Sequence, residues 1–342
     1  SMGEYLQAVV QSASGQYLDP RLAALRATGM SEGVPADGGF LVQPTYANKL
    51  LEKVYATGEI IKRCSTELKL GPNSNSVKVP FINETSRANG SRWGGVTAYW
   101  LSEAGTKVSS KPALGLQELS LEKVIVLLYV TDELLADATA LEGFVNRIFP
   151  QELRFKVEDA VYNGTGAGQP LGFMASSALV TVAKETGQAA TTLVFQNIVK
   201  MWSRLWGPSR PNSVWLINQD IEPQLMSMSL AVGTGGVPVY MPANGLSQSP
   251  YGTLMGRPVI PCEYSATLGT VGDIALVDLN EYAIIDKGGI KADSSIHVNF
   301  LYDETAFRWV YRVDGQPMWN STLIPYKGSN TLSPFVVLAA RA

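Results

Sequence analysis

Runs of apolar residues along the chain predict both strands and helices. Residues 76–82 (SVKVPFI) alternate apolar and other side chains and predict a strand, as do residues 116–130 (LQELSLEKVIVLLYV). A long amphipathic helix is predicted from about Ala140 to Tyr162, and Pro150 within it predicts a kink. The apolar stripe of this helix consists of Leu141, Phe144, Val145, Ile148, Leu153, Val157, Ala160 and Val161.

The second half of the chain continues this mixture. Residues 191–211 predict a second amphipathic helix that is closed by Gly207-Pro208, and residues 212–218 (NSVWLIN) predict a buried strand. Strand-like runs occupy much of residues 257–326, and we expect a structural role for His297 within one of them. Because the elements show no βαβ repeat, the chain is predicted to have an α+β fold.

Residues 84–114 interrupt the pattern. They have no helical period and few aliphatic side chains, yet they contain Trp93, Tyr99 and Trp100. Loops of this length are uncommon in compact domains unless they are functional or disordered. The flanking strands make the segment the outer part of a long hairpin, which would be poorly stable alone. We therefore expect a neighbouring chain to cover its aromatic side chains.

A glycine-rich stretch, VYNGTGAGQPLGFM at residues 161–174, raises the possibility of a phosphate-binding loop. A dinucleotide or Walker loop follows a strand and opens a helix, whereas these glycines follow the long helix. The Lys-Ser/Thr pair of the Walker pattern is also missing, since Gly168 precedes Gln169-Pro170. The stretch is predicted to be a turn in which Gly164 ends the helix in the left-handed conformation.

Composition narrows the function classes. A chain of 342 residues is long enough for two or more lobes. Its net charge of −3 and the lack of a strong basic cluster argue against a dedicated nucleic-acid groove. The two cysteines, Cys64 and Cys262, are expected to be free thiols in a reducing cytosol. No apolar run reaches the length of a membrane span.

Candidate catalytic groups are sparse. With one histidine and no GxSxG motif, a Ser-His or Cys-His system has little support, and an imidazole-rich metal site has none. The acid pairs Asp132/Glu133, Asp303/Glu304 and Glu158/Asp159 each have a capping or solvated-surface explanation, which disfavours a two-carboxylate hydrolase. No catalytic, cofactor-binding or metal site is predicted. The chain begins Ser1-Met2, as a trimmed tag or a protease cut would leave it.

In their order, the segments resemble the major capsid protein of tailed phages of the Hong Kong 97 type. The resemblance covers essentially the whole chain. Its strongest piece is the long helix that ends LRFKVEDAVYNGTGAGQPLGF. The other pieces are MSEGVPADGGFLVQP, the two-stranded extended loop with its KPAL return, the VFQNIVKMWSRL and SVWLIN pair, LMGRPVIPCEY and the β-rich close.

The resemblance implies a domain division. Proteins of this type have an extended N-terminal arm, an extended hairpin called the E-loop, a peripheral P-domain built on a spine helix, and an axial A-domain. The implied ranges are 1–62 for the arm, 63–130 for the E-loop region with its hairpin at 75–125, 131–190 and 285–315 for the P-domain with its spine helix at 140–163, and 191–284 with 316–342 for the A-domain.

The resemblance also implies a function. Such proteins are structural, not enzymes, and assemble in the host cytoplasm as pentamers and hexamers into the icosahedral shell of the virion. The shell encloses double-stranded DNA without binding it specifically, and a mild negative charge suits such a wall. Implied partners are other copies of the chain and possible portal, maturation protease and decoration proteins; no membrane is involved. An encapsulin-type nanocompartment shell is the alternative, and a carbohydrate-active enzyme or binding module is a distant one.

In the type member of this family, an E-loop lysine attacks a P-domain asparagine, and a glutamate seven residues after that asparagine acts as the base. Lys107 or Lys111 matches the lysine here, but Asp303 and Val310 stand at the other two positions. An ionised Asp303 is a poor electrophile, and Val310 cannot accept a proton from the amine. We therefore expect the shell to lack this covalent cross-link.

Overall fold

The computed structural model describes residues 59–71, 74–131, 139–230, 237–238 and 252–341. All of these belong to one compact unit, Lys53–Ala342. Most of the predicted arm, the acid pair Asp132/Glu133 and most of residues 231–251 lie outside the described residues. In chain order the elements are β1 Ser76–Ile82, β2 Leu114–Ser120, β3 Glu122–Thr131, α1 Thr139–Asn163, β4 Val180–Val182, α2 Phe195–Arg204, β5 Val214–Ile217, α3 Glu222–Ser227, β6 Ser229–Leu230, β7 Val237–Pro238, β8 Thr253–Leu254, β9 Arg257–Pro261, β10 Ile274–Val277, β11 Tyr282–Asp286, β12 Lys291–Asn299, β13 Glu304–Pro317 and β14 Phe335–Leu338.

The long strand β13 organises a four-stranded sheet. β3 pairs antiparallel with Glu304–Val313 along one edge of β13. β12 and β11 pair antiparallel with successive halves of the other edge. The helix α1 crosses this sheet, and its Phe149 ring stacks on Trp309 with centroids 4.8 Å apart. Buried Leu153 joins the same apolar cluster.

A six-stranded sheet, in the order β4-β14-β10-β5-β9-β8, forms the second layer. Its central strands are buried on both faces, as runs such as VWLI in β5 predict. Val214 and Leu216 pack towards Val157 and Val161 of α1, whereas Trp215 and Ile217 pack towards Ile198 and Met201 of α2. The sheet therefore lies between α1 and α2. β4, which falls in the range expected for the P-domain, pairs with β14 in this sheet.

The glycine-rich stretch is a structural turn, as the sequence predicts, but the reason for one glycine differs. The helix α1 ends at Asn163, and the amide of Gly164 donates to the carbonyl of Ala160 at 2.8 Å. The left-handed residues are Gly166 and Gly168, so the conformation predicted for Gly164 is wrong. Gly164 is required because a Cβ there would overlap the carbonyl oxygens of Ala160 and Pro170.

A fully buried ion pair fastens the last described segment to the six-stranded sheet. The guanidinium of Arg341 donates to both carboxylate oxygens of Asp273, and both side chains have 0 % exposure. The Asp273 carboxylate also accepts the amides of Gly269 at 2.9 Å and Ile274 at 2.8 Å. None of the helices in the described ranges is long and apolar enough to cross a membrane.

The two cysteines are free thiols, as expected. Burial, followed by the negative charge of Glu158, raises the pKa of Cys64 to about 12. Burial also raises the pKa of Cys262, whose Sγ lies 2.9 Å from the hydroxyl oxygen of Ser265. Both side chains stay protonated near neutral pH, and a thiol is a far weaker nucleophile than a thiolate.

Candidate functional site

The strands β1 and β2 form the predicted hairpin, in register from Ser76 with Ser120 to Ile82 with Leu114. Residues 83–113, here called the outer loop, contain no strand or helix. Short contacts shape this loop, including the amide of Ala113 donating to the carbonyl of Gly94 at 2.9 Å. Gly94 has φ +74°, and a Cβ there would lie 2.8 Å from the carbonyl oxygen of Ala113. Only glycine therefore fits this crossing point.

The aromatic side chains of the outer loop are exposed in the single chain. Relative exposure is 64 % for Trp93, 58 % for Tyr99 and 105 % for Trp100, which means that Trp100 is fully exposed. Nearby Leu101 and Val108 are exposed as well. Large aromatic groups dominate protein interfaces because each buries a large area. The loop thus presents an apolar surface that the described part of its own chain leaves uncovered.

Trp93 differs from Trp100. It helps to line a cleft of about 290 Å³ together with Trp206 and Trp319, whose rings meet edge to face with centroids 5.0 Å apart. Trp93 also has φ +54°, an uncommon conformation for a bulky residue. Its own chain therefore holds Trp93 in part, whereas Trp100 projects freely.

The base of the outer loop is tied to the segment that follows β13. The amide of Arg87 donates to the carbonyl of Ile324 at 2.8 Å, and the amide of Ile324 donates to the carbonyl of Thr85 at 3.0 Å. Arg87 also forms two hydrogen bonds to Glu84, which lower the pKa of this carboxyl group. The loop base is thus fixed while its tip remains free.

The root of the hairpin rests on Asp314 of β13. Its carboxylate accepts the amide of Ser120, the last residue of β2, at 2.8 Å, and that of Gly315 at 2.8 Å. Burial raises the pKa of Asp314 to about 6, and the charge of Glu122 adds to this effect, although the two amides oppose it.

We expect this shift to make the stability of the subunit depend on pH. Because the pKa of Asp314 is raised in the folded chain, the folded state binds the proton more tightly than the unfolded state. The stabilisation from protonation is fully present near pH 4 and is lost as the pH rises through 6. For Asp314→Asn, the free energy of unfolding relative to the wild type should therefore increase between pH 4 and pH 7. A difference that stays constant over this range in denaturant titrations would contradict the assignment.

The positions of the cross-linking pattern lie in three different parts of the fold. Lys107 and Lys111 are exposed in the outer loop. Asp303 is exposed at φ +49° in the turn before β13, whereas Val310 lies within β13 opposite Ile125. At about 3.3 Å per residue, Asp303 and Val310 are roughly 20 Å apart.

Spacing along the sequence missed one amide–carboxylate pair. The side-chain amide of Asn299 donates to Oε2 of Glu304 at 2.7 Å. These residues are only five positions apart and meet because they face each other across the β12–β13 turn. The cross-strand register, not a linear spacing of seven, would have been the signal for this pair.

A second exposed apolar surface lies on β3. Val124, Val126 and Leu128 face α1, whereas Ile125, Leu127 and Tyr129 are exposed on the opposite face of the sheet. We call these last three residues the β3 face. The continuous apolar run of β3 gives no sign of this asymmetry, because such runs usually indicate strands buried on both faces. The β3 face is thus a second exposed apolar surface of the single chain.

Known proteins are similar to this chain in sequence pattern and in fold. A model of the phage capsid family matches residues 38–328. The chain belongs to the phage capsid family. Its function is that of a major capsid protein, and the family implies a structural role and a place in the capsid of the virion. This confirms the resemblance inferred from the sequence.

Solved structures share the fold. The capsid of a native GTA particle has a TM-score of 0.71 at 16 % identity, covering 92 % of this chain and 100 % of that chain. A structure from Mycobacterium phage Bobi has a TM-score of 0.64 at 16 % identity, covering 91 % and 98 %. One from Microbacterium phage Oxtober96 has a TM-score of 0.65 at 15 % identity, covering 90 % and 99 %. No curated protein gives a match. The mixed helix-and-sheet fold of the Hong Kong 97 type is therefore confirmed.

Proposed function

We propose that this capsid protein assembles as pentamers and hexamers into an icosahedral shell that encloses phage double-stranded DNA. The observation that carries the proposal is the hairpin β1–β2, whose outer loop exposes Trp100 fully. A monomer gains nothing from an exposed tryptophan at the tip of a long loop, whereas a shell subunit buries it on its neighbour. The β3 face supplies further apolar area for such contacts.

We propose the four domains that the sequence suggests with shifted bounds: β3 joins the P-domain instead of the E-loop region, and β4 joins the A-domain instead of the P-domain. The arm precedes Ile60, the E-loop is built on β1 and β2, the P-domain on α1 and the four-stranded sheet, and the A-domain on the six-stranded sheet. The protein acts structurally and without catalysis, and assembly takes place in the host cytoplasm. Portal, maturation protease and decoration proteins are proposed partners, and the packaged DNA meets a wall without a specific binding groove.

Negative-stain microscopy of the purified full chain tests the proposal. We expect closed shells or ring-shaped capsomers. A chain that stays monomeric at concentrations of tens of micromolar and with crowding agents would contradict it. The chain can also be produced together with the products of the genes that flank its own. Particles that then hold a cargo protein in place of DNA would instead indicate an encapsulin.

The shell is expected to be free of covalent links between its subunits. Asp303 and Val310 replace the amide and the base that the reaction requires. Denatured particles should therefore run on a gel as one band near 36.9 kDa. A ladder of covalent multimers would contradict this expectation. If such a ladder formed and then disappeared in Asn299→Ala, the covalent link would be assigned to the side-chain amide of Asn299, which lies beside Glu304.

A further inference from the structure

Glu158 is a buried carboxylate near the C-terminal end of α1, and the proposed shell does not explain its burial. The sequence suggests a capping or solvated role for the pair Glu158/Asp159. Asp159 fits the solvated role, since it is half-buried and pairs with Lys156 at 3.1 Å. Glu158, in contrast, has 2 % exposure, so the prediction that it lies on a solvated surface is wrong.

Three neutral donors converge on this carboxylate. Its Oε1 accepts the backbone amides of Ile60 and Ile61, each at 3.2 Å. Its Oε2 accepts the hydroxyl group of Tyr264 at 2.9 Å. A carboxylate can stay buried only when hydrogen bonds replace its lost hydration. The pKa of Tyr264 is raised by burial and then by the Glu158 charge, so its hydroxyl group remains a donor near neutral pH.

The two amides belong to the start of a short 3-10 helix, Ile61–Arg63. Amides in the first turn of a helix have no partner inside it, and an acidic oxygen is a favoured acceptor for them. No side chain of the segment itself caps this turn. Glu158, almost one hundred residues further along the chain, supplies the cap instead.

The same short segment is also held at its far end. The amide of Ser65 donates to the carbonyl of Tyr282 at 2.9 Å, and the amide of Ile284 donates to the carbonyl of Ser65 at 3.0 Å. Between these two anchors, Ile60 and Cys64 are buried in the core cluster that contains Val157. The chain N-terminal to Ile60 must therefore join the folded body at the place where Glu158 holds it.

We infer that Glu158 anchors the root of the N-terminal arm to α1, and thereby fixes the place from which the arm reaches a neighbouring subunit. The inference rests on the proposed function and adds to it that the arm contacts adjacent copies. Glu158 is a positioning residue, because its side chain is buried and acts through the amides of Ile60 and Ile61. Tyr264 extends the anchor to the loop after β9. The ring of Tyr264 also packs on that of Phe155, with centroids 4.9 Å apart.

Three variants of the full chain separate this role from general stability. Glu158→Gln removes the charge and one strong acceptor but keeps the volume. Tyr264→Phe removes one donor and leaves the hydrogen bonds from the amides of Ile60 and Ile61 in place. Asp159→Asn is the matched control on the same helix, where the group is half-buried and paired with Lys156.

Amide hydrogen exchange in unassembled subunits is the first measurement. In Glu158→Gln, the amides of Ile60 and Ile61 should exchange about tenfold faster, because two hydrogen bonds to a charged acceptor become weaker bonds to a neutral amide oxygen. The amides of β5 and β10 should keep their protection. Tyr264→Phe should give a smaller effect at Ile60 and Ile61, and Asp159→Asn none. Unchanged exchange at Ile60 and Ile61, or faster exchange throughout the six-stranded sheet, would overturn the assignment.

Assembly yield, measured by sedimentation, is the second measurement. It should fall in the order wild type and Asp159→Asn, then Tyr264→Phe, then Glu158→Gln. If Glu158→Gln opens the arm root but assembles like the wild type, the inference is wrong while the proposed function stands. If the wild type itself forms no shells, the proposed function fails, and only the exchange result then speaks for the anchor.

Discussion

Replacement of Trp100 by alanine is expected to abolish shell assembly and to leave the subunit folded. The side chain is fully exposed in the single chain, so its removal costs the monomer almost nothing. At an interface, a buried tryptophan commonly contributes more than about 2 kcal/mol per contact. In a shell every subunit makes the contact, so the loss recurs at each one. Sedimentation and circular dichroism of the same sample measure the two effects.

Three further variants sharpen this test. Thr106→Ala, in the same exposed part of the outer loop, should assemble normally. Trp93→Ala should lower both assembly and stability, because Trp93 also lines the cleft beside Trp206. Deletion of residues 84–114, with Asn83 joined to Gly115 by a short turn, should also block assembly. Global unfolding of the deletion variant would show that the loop belongs to the core of its own subunit. Normal shells from Trp100→Ala would show that Trp100 makes no essential contact between subunits.

Replacement of Arg341 by methionine should destabilise the unassembled subunit by about 3–5 kcal/mol, because it leaves the buried Asp273 carboxylate without its cation. Asp293 and Arg308 provide a matched surface pair, with exposed fractions of 59 % and 55 %. Arg308→Met should change the free energy of unfolding by less than about 1 kcal/mol. Denaturant titrations compare the two variants directly.

The double variant Arg341→Met, Asp273→Asn is the control for the buried pair. It removes the unpaired charge and should recover part of the lost stability, since the amide oxygen can still accept one of the backbone amides. Equal effects of Arg341→Met and Arg308→Met would contradict the burial of the first pair. A double variant less stable than Arg341→Met alone would show that Asp273 acts chiefly through Gly269 and Ile274.

Local patterns in the sequence predicted much of the fold. The strand at 76–82 and the helix from Ala140 to Tyr162 emerge at, or within one residue of, the predicted bounds, because periodicity and turn residues are local signals. The long run at 116–130 divides at Leu121 into β2 and β3. The exposed aromatic residues of the outer loop were also predictable, since this long segment has no helical period and few aliphatic side chains.

Features that depend on distant residues were not predictable from these patterns. The apolar run of β3 does not reveal which of its faces α1 covers, so the exposure of Ile125, Leu127 and Tyr129 needed the structure. Glu158 looks like a surface carboxylate until Ile60 and Tyr264 are brought beside it. The Asn299–Glu304 pair likewise depends on the register of a hairpin.

The strand order of the six-stranded sheet has a consequence for synthesis on the ribosome. β14, the last strand of the chain, lies between β4 and β10, and Val336 pairs with Val180. During synthesis, the edges of β4 and β10 that pair with β14 stay unpaired until residues 335–338 have left the ribosome. Pairings between such distant segments form slowly, and open edges invite aggregation in the meantime. Premature contact between incompletely folded subunits would trap them as aggregates. We therefore expect chaperones of the host cell to raise the yield of native subunits.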